Sequence, residues 1–235
     1  MEKVRRKKEN FFPPHPNKIV LKNNYYPQGL TEDDIYKYYM KNKDKILKEV
    51  ENREVMFNII TDKGLVVKRK DSNGKFIKLN NSNYEDIITG RTISIHSTMH
   101  KTERIGIIDI DTEHFGFAKG SAAKIYDYLP DFEDIIAKQI RYTGKSSFHI
   151  LVDFKSPKSI NSIRSYLRKT LKNNFDTQFS IEQTRNSGKI NLDLSPNKFR
   201  GGFITLYSLS SEGLMCLDIP RNKLLSFQKT TAKIK

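Results

Sequence analysis

The chain has 235 residues, 37% of them hydrophobic, enough to bury a core in one large domain or two small ones. Its sole cysteine, Cys216, excludes an internal disulfide framework and a cysteine-based zinc cluster, and fits a reducing compartment such as the cytoplasm of a prokaryotic or virus-infected cell. With 42 basic and 27 acidic residues the net charge is +15, which favours a polyanionic partner, nucleic acid before an anionic membrane surface, although a lysine- and asparagine-rich coding background also raises basic residues; no run approaches the ~18 apolar residues of a membrane span.

Residues 1–18 carry RRKK and FFPPHP without period and read as a basic, flexible arm. The segment TEDDIYKYYMKNKDKILKEV predicts a helix over about 32–50. Thr31 is its N-cap, Glu32, Asp33 and Asp34 sit at the positive end of its dipole, and Ile35, Tyr38, Tyr39, Ile46 and Val50 form one face. Strands are expected over 55–60, 65–69 and 75–79, with Asn73-Gly74 as a hairpin turn. Further strands are expected over 93–97, 104–111, 148–154, 190–194 and 203–207. Helices are expected over about 119–129 and along Ile160, Ile163, Leu167 and Leu171. The second half alternates strands and helices in an order that suits a mostly antiparallel sheet with helices on one face, beside a smaller α/β module from the first half.

Three segments carry chemistry. In IGIIDIDTE, alternate strand residues share a face, so Asp109 and Asp111 point the same way with Cα atoms roughly 7 Å apart. Like charges at a strand end persist most easily when a divalent cation neutralises them. In TGKSSFHILVDF, Gly144 and Ser146 make a tight polar turn whose backbone N–H groups are suited to an anion. Ser147 and His149 share a face of the strand that follows, with Lys145 at the tip: a hydroxyl, an imidazole and an ammonium arranged like a triphosphate clamp. In KINLDLSPNKFRGG, Asp193 faces away from Leu192 and Leu194 and offers a third carboxylate. The basic, glycine-containing loop that follows lets backbone approach phosphate closely. Taken singly, each segment also reads as a solvated Asp pair, a hairpin before a buried histidine, and an Asp before a turn.

Together, in this order, the three segments resemble the archaeo-eukaryotic primase superfamily, and more narrowly the polymerase domain of ligase D, from about residue 19 to about 212. NNYYPQGLTEDDIYKYY is similar to that family's opening, IDIDTE to its first metal motif, TGKSSFH to its Ser-x-His loop, NLDLSPN to its third motif, and Tyr207-Ser208 to its Tyr-Ser segment. The resemblance implies an α+β primase fold: an N-terminal α/β module of about 19–90 and an RRM-like, mostly antiparallel catalytic module of about 91–235. It implies template-directed nucleotidyl transfer from a (d)NTP to a primer 3′-hydroxyl, in end joining or gap filling. Asp109, Asp111 and Asp193 would hold two Mg²⁺ or Mn²⁺ ions. Lys145, Ser146, Ser147, His149, Asn197, Arg200 and Ser208 would meet the nucleotide, with Lys145 and His149 offsetting its charge. Lys22 and Arg185 would meet nucleic acid. DNA template-primer is the implied partner, with a separate ligase and a Ku-like protein as further ones.

Two positions depart from the family pattern. Thr31-Glu32 stands where the family has Thr-Lys beside a pocket for a downstream 5′-phosphate, and Ser210 follows where an arginine is usual. Three other readings stay open at this point: a primase of a viral or mobile-element replicon, a metal-dependent nuclease on the same carboxylates, and a non-catalytic RRM-like binding module.

Overall fold

The structure, a computed structural model, describes residues 29–61, 64–129, 134–175, 177–182 and 190–234. Lys22, in the N-terminal segment, and Arg185 lie outside the described residues. In chain order the elements are α1 (Glu32–Lys41), α2 (Lys43–Glu49), β1 (Val55–Thr61), β2 (Gly64–Lys68), α3 (Tyr84–Ile87), β3 (Thr92–Thr98) and β4 (Thr102–Asp111). There follow α4 (Phe115–Tyr128), β5 (Ile135–Tyr142), β6 (Phe148–Ser159), α5 (Ile160–Phe175), β7 (Phe179–Ile181), β8 (Ile190–Asp193), β9 (Gly202–Ile204) and β10 (Leu217–Asp218).

Helix α1 starts at a capping box. Asp34 N donates to Thr31 Oγ1 at 3.1 Å, and Thr31 N donates back to Asp34 Oδ2 at 2.8 Å. The one long helix expected here is instead two. Asn42 Nδ2 donates to the Tyr38 carbonyl, and a side chain that competes in this way for backbone acceptors interrupts the ladder. The strand expected over 75–79 is also replaced. Asp71 Oδ1 accepts from the backbone N–H groups of Asn73 and Lys75, Gly74 takes a positive φ of 77°, and only an isolated bridge joins Lys70 to Phe76.

Two sheets form. The first has the order β2-β1-β3-β9 and the second β10-β5-β6-β4-β8-β7. Every pairing is antiparallel except β7 with β8. The fold class is therefore α+β with mostly antiparallel sheets, as expected. The first sheet takes β3 and β9 from beyond residue 90, so the chain passes between the sheets more than once. β5, β7 and β10 have no counterpart among the expected strands.

The larger core lies between the second sheet and helices α4 and α5. Ile108 and Ile110 of β4 and Phe148, Ile150 and Val152 of β6 face Ile163, Leu167 and Leu171 of α5 and Ala118, Ala122 and Ile125 of α4. Each fully buried Ile or Leu stabilises by roughly 1.5–3 kcal/mol. The smaller core gathers Ile35 and Tyr39 of α1 against Phe57 of β1 and Ile95 of β3.

Packing under α5 depends on Gly106. A Cβ there would meet Ile163 Cγ2 and Leu167 Cδ1 at 2.9 Å and Phe154 Cε2 at 3.2 Å. Gly106→Val should destabilise the protein by about 1–3 kcal/mol in urea denaturation through overpacking, although valine alone favours a strand. An unchanged midpoint would mean that α5 does not press on β4.

Candidate active site

Strand β4 runs between β6 and β8, and its register settles which side chains meet. Asp109 is directly opposite Asp193 on β8 and directly opposite His149 on β6. Continuing outward, His149 is opposite Arg141 on β5, and Arg141 is opposite Asp218 on β10. One row of side chains therefore crosses five strands, from Asp218 to Asp193. Cα atoms of directly opposed residues are about 4.5–5.5 Å apart, so the Asp109 and Asp193 carboxylates share one small volume. Asp111 is two residues along β4 on the same face, opposite Asn191.

The carboxylates differ in their surroundings. Asp193 is fixed by the turn that follows it: Ser195 N donates to Oδ1 at 2.7 Å and Ser195 Oγ donates to Oδ2 at 2.6 Å. Asp109 Oδ1 lies 3.6 Å from His149 Nε2. The His149 side chain is 7% exposed, and its Nδ1 meets no hydrogen-bond partner among the described residues. Burial first, then the charge of Arg141 and the nearness of His96, push its imidazole down to about 3, so it is neutral at physiological pH despite the facing carboxylate. His149 is thus a hydrogen-bonding group here, not the cation that was expected to offset charge.

A cleft of about 320 Å³ opens over this row, between the two sheets. Asp109, Asp193, Ser195, His149, Ser147 and the exposed Lys145 line it from the second sheet and its loops; Asn58, Ser94, His96 and Ile204 line it from the first. The Lys145 loop is held from several sides. Tyr142 Oη donates to the Lys145 carbonyl at 2.6 Å, Ser146 Oγ to the Thr112 carbonyl at 2.7 Å and Ser210 Oγ to the Gly144 carbonyl at 2.5 Å. Gly144 has φ 86°, and a Cβ there would lie 2.7 Å from Ser210 Cβ. Ser210, where an arginine is usual in the family, therefore anchors this loop.

Four residues expected at the nucleotide are placed otherwise. Asn197 is fully buried: its Oδ1 accepts from Ile107 N at 2.8 Å and its Nδ2 donates to the Ile107 carbonyl at 2.5 Å, which clamps the turn after β8 onto β4. Ser208 is fully buried, with its Oγ accepting from Ile95 N at 2.7 Å. Arg200 makes a two-pronged ion pair with Glu54 outside the cleft lining, and Ser146 points at Thr112. These side chains shape the site without lining it. Glu32, which stands at the start of α1, is 4% exposed and pairs with Arg91 at 3.1 Å.

His96 was not singled out in the sequence. Asn58 Nδ2 lies 3.3 Å from its Nε2 and Ser94 Oγ lies 3.0 Å away. The signal was present as a polar alternation, Ser94-His96-Thr98, on one face of an otherwise apolar strand.

A solved structure with this architecture is the polymerase domain of Mycobacterium tuberculosis ligase D in complex with DNA, with a TM-score of 0.67, 14% identity and 89% of each chain covered. The chain has the fold of that polymerase domain. No family model matches the sequence, and no curated protein matches it either. Among the described residues, no helix is long and apolar enough to cross a membrane.

The donor set fits hard, oxygen-seeking divalent ions: opposed carboxylates on adjacent strands, with a third one pleat repeat away. Among the described residues no three His, Cys, Asp or Glu side chains are drawn together around one point, and Asp111, unlike Asp109 and Asp193, does not line the cleft. Two predictions follow from this electrostatics. Asp193→Asn keeps an acceptor for Ser195 but removes a like charge opposite Asp109, a relief of roughly 0.2–1 kcal/mol. Without divalent ions that variant should melt no lower than the parent. Saturating Mn²⁺ should raise the melting temperature of the parent only, by the linkage of binding to folding; equal shifts in both would remove the metal assignment.

Burial, and secondarily Arg69, lowers the His96 pKa from 6.5 to about 4. The folded state holds this ring neutral, whereas the unfolded chain takes up a proton below pH 6.5. The stabilising difference is therefore complete above pH 6.5 and is lost as pH falls towards about 4. His96→Gln should flatten the loss of stability across that window by roughly 3 kcal/mol in denaturant titrations at several pH values.

Proposed function

We propose that this protein is a template-directed nucleotidyltransferase that extends a nucleic-acid primer at the cleft over β4. The single observation that carries this reading is the register that sets Asp109 opposite both Asp193 and His149, beneath a loop that presents Lys145 and Ser147 to the same cleft. A phosphodiester cleaved by a nuclease needs only the carboxylates. The ammonium, hydroxyl and imidazole beside them match an incoming triphosphate.

In this reading Asp109, Asp111 and Asp193 hold two Mg²⁺ or Mn²⁺ ions. Such ions, when bound, neutralise phosphate charge and lower the pKa of the primer 3′-hydroxyl. The protein's own groups do the positioning, on which phosphoryl transfer chiefly depends. Lys145, exposed at the loop tip, reaches the triphosphate as a cation. Ser147 hydrogen-bonds to it; its Oγ is 2.7 Å from Thr143 Oγ1, which orients it. His149 contacts phosphate oxygen as a neutral donor, which spares the site a buried cation beside the metal ions. Asn197 holds the β8 turn so that Asp193 stays opposite Asp109.

The substrate is a DNA template-primer with a (d)NTP. The fold match to a ligase D polymerase domain solved with DNA supports the nucleic-acid partner. Gap filling in end joining, beside a separate ligase and a Ku-like protein, is the role we propose with it.

The deciding measurement is primer extension with labelled nucleotides and Mn²⁺ or Mg²⁺. Asp109→Ala should lower incorporation at least ~1,000-fold, about 4 kcal/mol of transition-state stabilisation, while duplex binding persists. Extension at the parental rate by this variant, or cleavage of the primer in place of extension, would reject the proposal.

A further inference from the structure

The loop that leaves Asp193 does more than fix that carboxylate. Ser195 and Pro196 line the cleft, and three residues on the same loop carries Phe199, 45% exposed. The Arg200 guanidinium lies over two rings, its Cζ 3.5 Å from the centre of Phe76 and 4.7 Å from that of Phe199. Its guanidinium is locked by Glu54 at 2.7 and 3.0 Å. Two lysines extend the array: Lys101 Nζ is 5.4 Å from the Phe199 ring and Lys70 Nζ is 5.1 Å from the Phe76 ring. Lys78 and His100 also lie near Glu54, and with Arg200, whose hydrogen bonds act most strongly, they hold its carboxyl below the usual range.

A large exposed aromatic beside the cleft is costly to leave in water. Here it is rigid on the Arg200 side, because Glu54 fixes the guanidinium, and flexible on the Lys101 side, because that side chain is exposed. Against Glu54 and Asp71, the chain neighbour of Lys70, stand Arg200, Lys70, Lys78 and Lys101, which leaves the patch a positive surplus. Aromatic rings alternating with cations along a basic surface are the arrangement that binds single-stranded nucleic acid: bases stack on rings, and cations meet the phosphates between them.

We propose that Phe199, Phe76, Lys101 and Arg200 form a stacking platform for single-stranded nucleic acid that leads into the cleft. A base seated on Phe199 displaces the Lys101 ammonium from the ring and leaves it beside the neighbouring phosphate. Arg200 stays in place, held by Glu54. The platform reads no sequence, because every base offers a flat face. It rests on the nucleotidyltransferase reading for its purpose, since it would hold the unpaired template strand beside the reacting end, but the binding itself needs neither nucleotide nor divalent ion.

The test uses the full chain and a fluorescent dT₁₂ oligonucleotide in anisotropy titrations at low salt, with EDTA present. Phe199→Ala should weaken binding about 5- to 100-fold, the loss of one stacked base, and Phe199→Tyr should restore it. A second probe of the same length and charge, made entirely of abasic sites, should bind the parent and Phe199→Ala alike. Parental affinity of Phe199→Ala for dT₁₂ would overturn the proposal. So would an equal loss with both probes, because that would reveal only a change in charge or folding. Phe199 is 45% exposed, so its truncation leaves the buried core intact, and an unchanged melting temperature checks this. These outcomes are independent of the extension assay: a failed Asp109→Ala prediction removes the polymerase reading and leaves the platform standing, and the reverse also holds.

Discussion

Strand β4 is held between β6 and β8 in an antiparallel register, and the rest of the site depends on that constraint. Side chains alternate along a strand, so a slip of one residue would turn Asp109 and Asp111 into the helix-packed core and Ile108 and Ile110 into the cleft. Burial of those isoleucines under α4 and α5 makes such a slip expensive. Asn197 adds a local clamp. Its amide takes both backbone groups of Ile107 just where β8 stops pairing, and so continues the ladder through a side chain.

The same register sets the electrostatics. The row from Asp218 through Arg141, His149 and Asp109 to Asp193 puts a buried, doubly paired cation at one side and two facing anions at the other. Arg141 is satisfied by Asp218 at 2.8 Å and Glu49 at 3.3 Å, so α2 of the first half is tied to the second sheet by the same residue. Buried pairs of this kind add little net stability, but breaking one is costly because the partner charge stays buried. His149 sits between the opposed charges as a neutral ring, which is where burial and Arg141 drive it.

The two sheets are joined by segments far apart in the chain. Tyr38 Oη donates to the Tyr207 carbonyl at 2.7 Å, Tyr39 Oη accepts from Leu209 N at 3.1 Å, and Ser210 reaches the Gly144 carbonyl. The Tyr-Tyr pair of α1, the Tyr207-Ser208 segment and the Lys145 loop therefore form one chain of contacts.

What was legible in the sequence is what period and local chemistry decide. Alternation of apolar residues around Asp109 and His149, the Thr31 cap with its acidic first turn, and the 3.6-residue face of α5 each follow from one short window, and the structure has them. Asn42 and Asp71 show the limit: each uses its side chain on nearby backbone, which breaks a helix and cancels a strand that periodicity alone predicts. The family resemblance implied that Asn197 and Ser208 meet the nucleotide, yet both are fully buried on the backbone of other strands. By itself the sequence determined which faces are apolar and which carboxylates share a strand face, because these depend on neighbours within a few residues. Only the tertiary structure decided that Asp193 and His149 flank Asp109 and that His96 closes the cleft, because strand pairing across 40 to 100 residues is settled by packing of the whole core, to which no local window has access.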